Sequence, residues 1–112
     1  MIDLNGKRFC STENSDNGQV SKDTIFQYYQ NGNIIWATYG GGEIVFGTVL
    51  GKVEGENCLD IRYQHLNRAG RFMTGECKSE IVMEQDGKLA IYESWRWTCG
   101  DFSEGKSVIR EI

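Results

Sequence analysis

Two polar side chains, those of His65 and Glu93, occur among apolar residues at a spacing typical of one strand face. His65 follows Tyr63 at an interval of two residues, and Glu93 precedes Trp95 at the same interval. Because side chains two residues apart in a strand share a face, both groups are predicted to point into the interior. A histidine beside a carboxylate in an aromatic pocket can transfer protons or bind the polar end of a ligand. The alternative is that both groups only satisfy backbone, Tyr or Trp hydrogen bonds.

Four aromatic residues are the predicted lining of a ligand pocket around this polar pair: Trp36, Tyr63, Trp95 and Trp97. Aromatic rings supply large apolar contact areas. The alternative is plain core packing, since a small barrel needs much of its interior for its own side chains. The predicted ligand-binding residues are therefore these four aromatics together with His65 and Glu93.

The sequence contains no cofactor or metal motif. His65 is the only histidine, which excludes a paired-histidine metal site, and a lone histidine is more often structural than a haem ligand. The segment DFSEG at 101–105 is rich in oxygen atoms but does not fit the spacing of an EF-hand. Neither a GxSxG motif nor a phosphate-binding loop is present. We therefore expect no cofactor and no metal, and His65 and Glu93 are the only candidates for catalysis.

These residues are positioned by a chain that is predicted to be all-β. Seven clusters of turn residues divide it into eight short segments rich in β-branched and aromatic residues, and it has no proline. That rhythm is typical of an antiparallel up-and-down meander, and about eight strands can close a small barrel. The chain of 112 residues is predicted to be a single domain, 1–112. The predicted strands are 7–13, 24–30, 34–40, 43–53, 58–66, 71–83, 88–98 and 106–112.

The turn sequences between the predicted strands differ in how strongly they predict a hairpin. Asn31-Gly32 and Asp86-Gly87 tolerate the positive φ of type I′ turns. The triple glycine at 40–42 predicts a hairpin or a mobile rim. The longest loop is predicted at 14–23, and a short helix and a lid are the two alternatives there.

The alternation of side chains differs between the two halves of the chain. In the later strands it is clear, and Gly75, Cys77 and Ser79 are predicted to face inward while a charged stripe faces solvent. The second, third and fourth strands are apolar on both faces. That composition predicts an outer patch that is buried or faces a second copy in a homodimer.

Charge and cysteine content restrict the class of protein. The net charge of −4 argues against nucleic-acid binding, which needs a basic patch. No stretch approaches the roughly 18 apolar residues of a membrane span, and no leader sequence is recognisable. We therefore expect a cytoplasmic protein without nucleic-acid or membrane partners. The four cysteines form no CxxC pair and are expected to stay reduced.

Three segments carry a resemblance to a known family: IRYQHLN at 61–67, MTGEC at 73–77 and ESWRWT at 93–98. Along almost its full length, the chain resembles small bacterial proteins that often carry the name N-acetylglutamate synthase. The resemblance implies a calycin-like barrel, akin to lipocalin-like and avidin-like proteins. An acetyltransferase of the usual type needs an α/β fold with a pyrophosphate-binding loop at a helix start, and this sequence predicts neither.

Three functional hypotheses follow. The first is a non-catalytic barrel that binds a small, mostly apolar ligand. The second is an enzyme of the lyase, isomerase or hydrolase kind with His65 and Glu93 as acid and base. The third is a structural or interaction protein with a filled barrel. An empty pocket of roughly 300 Å³ or more would favour the first, and a filled interior the third.

Overall fold

The computed structural model describes residues 2–112 and shows an all-β protein without helices in that range. Eight antiparallel strands follow one another around a closed barrel, and β1 pairs with β8 to complete it. The predicted all-β meander and its closure are confirmed. The strands are β1 (Arg8–Asn14), β2 (Ile25–Asn31), β3 (Ile34–Gly41), β4 (Ile44–Glu54), β5 (Cys58–Asn67), β6 (Phe72–Met83), β7 (Leu89–Trp97) and β8 (Glu104–Glu111).

The tight turns form where the sequence places their glycines. Gly32 and Gly87 have φ values of 63° and 82°, a region that glycine adopts without steric cost. The triple glycine is a tight turn, in which a Cβ on Gly41 would overlap the carbonyl oxygen of Asp23. Of the two interpretations of that segment, the hairpin is therefore the one that forms.

The barrel interior is filled mainly by inward-facing apolar side chains. Phe9, Ile35, Leu59 and Ile109 have no exposed surface. Along β5, β6 and β7 the predicted faces are confirmed, with residues such as Ile61 buried. These alternating positions form a single core, as expected for a sheet closed on itself.

Three interior aromatic side chains lie directly against a glycine of the neighbouring strand. Tyr39 pairs with Gly47, and Tyr63 pairs with Gly75. Trp95 pairs in the same way with a glycine of β8, residue 105. A Cβ added to any of these glycines would overlap the paired ring. We refer to these contacts as the aromatic–glycine pairs.

The outer surface of β5, β6 and β7 is a charged wall. Glu76 forms ion pairs with Arg62 at 3.9 Å and Arg96 at 3.0 Å. Lys78 similarly contacts Asp60 at 3.4 Å. Because these pairs are solvent-exposed, each contributes little to stability.

The outer surface of β2, β3 and β4 is apolar instead. Trp36 lies there, 40% exposed, with its ring stacked on Tyr29 at a centroid distance of 5.9 Å. The prediction that Trp36 lines the interior pocket is therefore wrong. The strand register directs Ile35 and Ala37 inward and Trp36 outward. Because β3 is apolar on both faces, its sequence did not indicate which face is inside the barrel. We call the whole patch the outer apolar face: Tyr29, Ile34, Trp36, Val45, Phe46 and Leu50.

Residues 15–24, between β1 and β2, form an irregular loop without a helix. This segment, here called the mouth loop, bonds to the barrel rim at several points. The hydroxyl of Thr24 donates to the carbonyl oxygen of Gly41 at 3.0 Å, and the Asn17 amide donates to Ser103 Oγ at 2.9 Å. The loop thereby covers the barrel end at which β1, β5 and β7 terminate.

Two further observations concern the described residues 2–112. They contain no helix that is both long and apolar enough to cross a bilayer. All four cysteines are unpaired, with Cys77 buried and Cys58 exposed.

Candidate functional site

A cavity lies inside the barrel beneath the mouth loop, with a volume of about 60 Å³. It is smaller than the roughly 300 Å³ of pockets for drug-sized ligands, because aromatic rings fill much of the interior. At about 10–15 Å³ for each water, it has room for a few waters or a comparably small molecule. Its lining residues are Asn14, Gly18, Gln19, Val20, Phe26, Tyr28, Tyr39, Val49, Ile61, Tyr63, His65, Cys77, Glu93, Trp95, Trp97 and Ser107.

Five of the six predicted ligand-binding residues line this cavity: Tyr63, His65, Glu93, Trp95 and Trp97. Trp97 is the centre of the aromatic part. Its ring centroid lies 6.0 Å from that of Tyr63, 5.9 Å from that of His65 and 5.4 Å from that of Trp95. Its indole Nε1 donates to the carbonyl oxygen of Asn17 in the mouth loop at 3.1 Å. Trp36 is the residue that the structure does not bring to the site.

His65 is fully engaged by protein groups. Its Nδ1 lies 2.8 Å from the Tyr39 hydroxyl, and its Nε2 lies 2.9 Å from Gln19 Oε1. Because Asn67 Nδ2 also donates to that Gln19 oxygen, at 3.2 Å, Nε2 carries the proton and Nδ1 accepts from tyrosine. Burial lowers the pKa of His65 to about 4, so the ring is neutral near pH 7.

Among the described residues 2–112, Glu93 has a single hydrogen-bond partner. The Ser107 hydroxyl donates to Glu93 Oε1 at 2.7 Å, and no cationic side chain among residues 2–112 forms an ion pair with it. Burial raises the pKa of Glu93 to about 7, against the smaller opposing effect of the serine hydrogen bond. Near neutral pH this carboxyl group is therefore about half ionised.

The suggested pairing of His65 with Glu93 does not form. The strand register sets Glu93 opposite Ser79, and Ser79 opposite Leu59. His65 is three inward positions further along β5. The polar groups therefore sit at different levels of the barrel, each with its own partners.

Several cavity residues were missed by sequence reasoning. Ser107 alternates with Gly105 and Ile109 along β8, so a face assignment of that strand would have found it. Asn14 and Gln19 belong to the end of β1 and to the mouth loop, where no periodicity indicates direction. The Asn14 amide nitrogen donates to the carbonyl oxygen of Val20 at 3.0 Å, and its Oδ1 is buried without a hydrogen-bond partner.

Removing the Gln19 side chain should release the mouth loop. We expect Gln19→Ala to lower the free energy of unfolding by about 1 kcal/mol, because His65 and Asn67 lose their shared acceptor. Amide hydrogen exchange in residues 15–24 should also accelerate. Gln64→Ala, at an exposed outer position, is the matched control and should change stability by less than about 0.5 kcal/mol. Unchanged exchange in the loop would show that Gln19 does not fasten it.

The described residues 2–112 contain no cluster of three or more His, Cys, Asp or Glu side chains suited to hold a metal ion. Searches of curated proteins and of solved structures return no match. One protein family, described as "Avidin-like protein", matches residues 2–112. That match covers the whole barrel and agrees with its eight-stranded closed architecture. The chain therefore belongs to the avidin-like protein family.

Proposed function

We propose that this protein binds a small, mostly apolar molecule inside the barrel, without catalysis. The observation that carries the proposal is a cavity beneath the mouth loop whose walls are mainly aromatic and whose exposed polar groups are few. Such a combination is typical of small-molecule sites, where apolar walls supply affinity and isolated polar groups fix orientation. The volume of about 60 Å³ limits the ligand to a few heavy atoms while the mouth loop stays in place, and larger molecules require the loop to move.

The contacts of the polar pair favour binding over catalysis. Both ring nitrogens of His65 are bonded to protein side chains, so the ring has no free position for a substrate proton. Within residues 2–112, Glu93 has its hydrogen bond with Ser107, a residue distant from His65 in the strand register. An enzyme with His65 as acid and Glu93 as base would need both groups within hydrogen-bond reach of one substrate atom.

Because the cavity volume of about 60 Å³ falls below the roughly 300 Å³ expected of a ligand pocket, it supports a second candidate, an interaction protein whose barrel is largely filled. The outer apolar face exposes roughly 600 Å², the upper end of what the largest patch on a typical monomer exposes. We propose that a second copy of the chain covers it, since Tyr29, Trp36 and Leu50 form one row across three neighbouring strands. Two such patches would bury roughly 1,200 Å², the lower limit of a stable interface.

Native mass spectrometry of the protein purified from its own host tests both candidates. A retained small molecule of defined mass would support ligand binding, and a twofold mass would support the homodimer. Trp36→Ala is the control for the second outcome, because it should weaken the dimer while leaving the retained molecule in place. A ligand-free spectrum that persists when the protein is incubated with small apolar compounds would contradict the binding proposal.

A further inference from the structure

Glu93 is an acidic group in an otherwise uncharged cavity, and no residue in the described range 2–112 supplies it with a cationic partner. The lining contains neither lysine nor arginine. Glu93 Oε1 accepts from Ser107, whereas Oε2 has no hydrogen bond within the part of the chain described. A carboxylate in an apolar environment is costly unless it is paired. A partner that carries positive charge or N–H donors would compensate that cost.

A second free acceptor, on Asn14, lies two strands from Glu93 in the barrel wall. Asn14 Oδ1 is buried and unpartnered, and the orientation of the amide is fixed because its nitrogen donates to Val20. In the strand register, Asn14 lies opposite Ser107, and Ser107 lies opposite Glu93. The two acceptors therefore flank one serine in the same row of the wall. Acceptors that lack donors are matched by a ligand group that only donates.

The remaining walls suit the same kind of group. Three of the aromatic side chains that line the cavity are Tyr28, Tyr63 and Trp95. The faces of such rings attract cations, most strongly where water is excluded. The apolar part of a ligand can contact the same rings. The free acceptors, the negative charge of Glu93 and the aromatic walls thus all favour a ligand with a cationic donor group and an apolar part.

We propose that the ligand of this cavity is a small primary amine, bound as the ammonium ion with its N–H groups on Glu93 and Asn14 and its apolar part against the aromatic rings. This inference rests on the proposed function, because it specifies the ligand of that same cavity. An ammonium group has three donors and no acceptor, which complements a site with two unfilled acceptors.

Glu93 is the group whose protonation controls amine binding between pH 5 and 8. The titratable groups that face it are Tyr28 from β2, Tyr39 from β3, Tyr63 from β5 and Cys77 from β6. Burial raises the pKa of each of them far above this range. His65, on the same side of the barrel as the mouth loop, has its pKa lowered to about 4. All five groups therefore stay neutral while Glu93, with its pKa at about 7, titrates.

The test compares n-butylammonium with 1-butanol, two probes with the same number of heavy atoms. Binding is followed by the fluorescence of the cavity tryptophans at pH 8 and pH 5. At pH 8 the ammonium ion should bind at least about tenfold more tightly than the alcohol, the effect of one charged hydrogen bond. Between pH 8 and pH 5 its affinity should fall by nearly a hundredfold, since a site with a pKa of about 7 must first lose its proton. The alcohol should bind equally at both pH values.

Two variants accompany the probes. Glu93→Gln should remove both the preference for the amine and the pH dependence, whereas Glu76→Gln on the charged wall should leave both unchanged. Equal affinity for amine and alcohol in the unmodified protein would overturn the inference and leave the proposed function standing. Binding of neither probe would also overturn it, and a ligand-free native mass spectrum in addition would remove the proposed function.

Discussion

Replacing Trp97 by alanine is expected to lower the free energy of unfolding by about 3–5 kcal/mol, whereas the same replacement of Trp36 should cost less than about 1 kcal/mol. Both variants remove an indole side chain, so the difference between their free energies of unfolding reports on where each tryptophan lies. Trp97 is 5% exposed and Trp36 is 40% exposed. Because a domain typically has a free energy of unfolding of about 5–15 kcal/mol, the Trp97→Ala variant should be only marginally stable.

The large effect at Trp97 has two causes. The indole packs against three other rings of the cavity, so its removal leaves a void in the core. Its Nε1 also donates to the carbonyl of Asn17, so the mouth loop loses an attachment. Trp36 has one stacked neighbour, Tyr29, and faces outward.

Urea unfolding followed by circular dichroism measures both variants against the unmodified protein. If Trp97→Ala does not fold, Trp97→Phe provides a milder variant with an expected loss of about 1–3 kcal/mol. Measurements are made at low protein concentration, so that the proposed association through the outer apolar face would not contribute. Equal losses at the two tryptophans would contradict the assignment of Trp97 to the interior and Trp36 to the outer face.

Glu93→Gln is expected to stabilise the protein by about 3 kcal/mol at pH 8 and by about 1 kcal/mol at pH 5. Burial raises the pKa of Glu93 from 4.5 to about 7 in the folded protein. The folded state consequently binds the proton more tightly than the unfolded state. Between the two pKa values, the stability of the unmodified protein falls as the pH rises, and above pH 7 the full cost is present.

Glutamine keeps the shape of the protonated acid and an oxygen for the Ser107 hydroxyl, but it cannot ionise. The difference between the free energies of unfolding of the two proteins therefore reports the titration of Glu93 alone. Other carboxyl groups, such as Asp60 and Glu111, whose pKa values are lowered by their partners, contribute equally to both proteins. Urea unfolding at several pH values between 5 and 8 gives the free energy of unfolding of each protein as a function of pH. Glu76→Gln on the charged wall is the control for the loss of a carboxylate outside the cavity. A pH-independent difference at Glu93 would contradict a raised pKa.

Much of the fold could be predicted from the sequence, because it depends on local chemistry. Asn31-Gly32 and Asp86-Gly87 define tight hairpins wherever they occur between extended segments. The alternation along β5 and β7 assigned the inward position of Glu93 before any pairing was known. The last strand begins at Glu104 rather than at 106, since strand ends depend on the neighbouring strand as well as on composition.

The parts that could not be predicted depend on long-range contacts. Trp36 was misplaced because β3 has apolar residues on both faces, so only the closure of the barrel decides which face is inside. The path of the mouth loop is determined by partners distant in the chain, such as His65 for Gln19. The size of the cavity likewise depends on how rings from several strands fit together, which alternation does not specify.

The aromatic–glycine pairs have a consequence for the width of the barrel interior. At Gly47, Gly75 and Gly105 the wall lacks a side chain, and a ring from the adjacent strand occupies the vacant position. A methyl group at any of these glycines would displace its ring toward the barrel axis and narrow the space for a guest. Three wall positions without side chains of their own thus act as spacers, and changes there would retune the size of guest that the barrel accepts while its chemical lining stays the same.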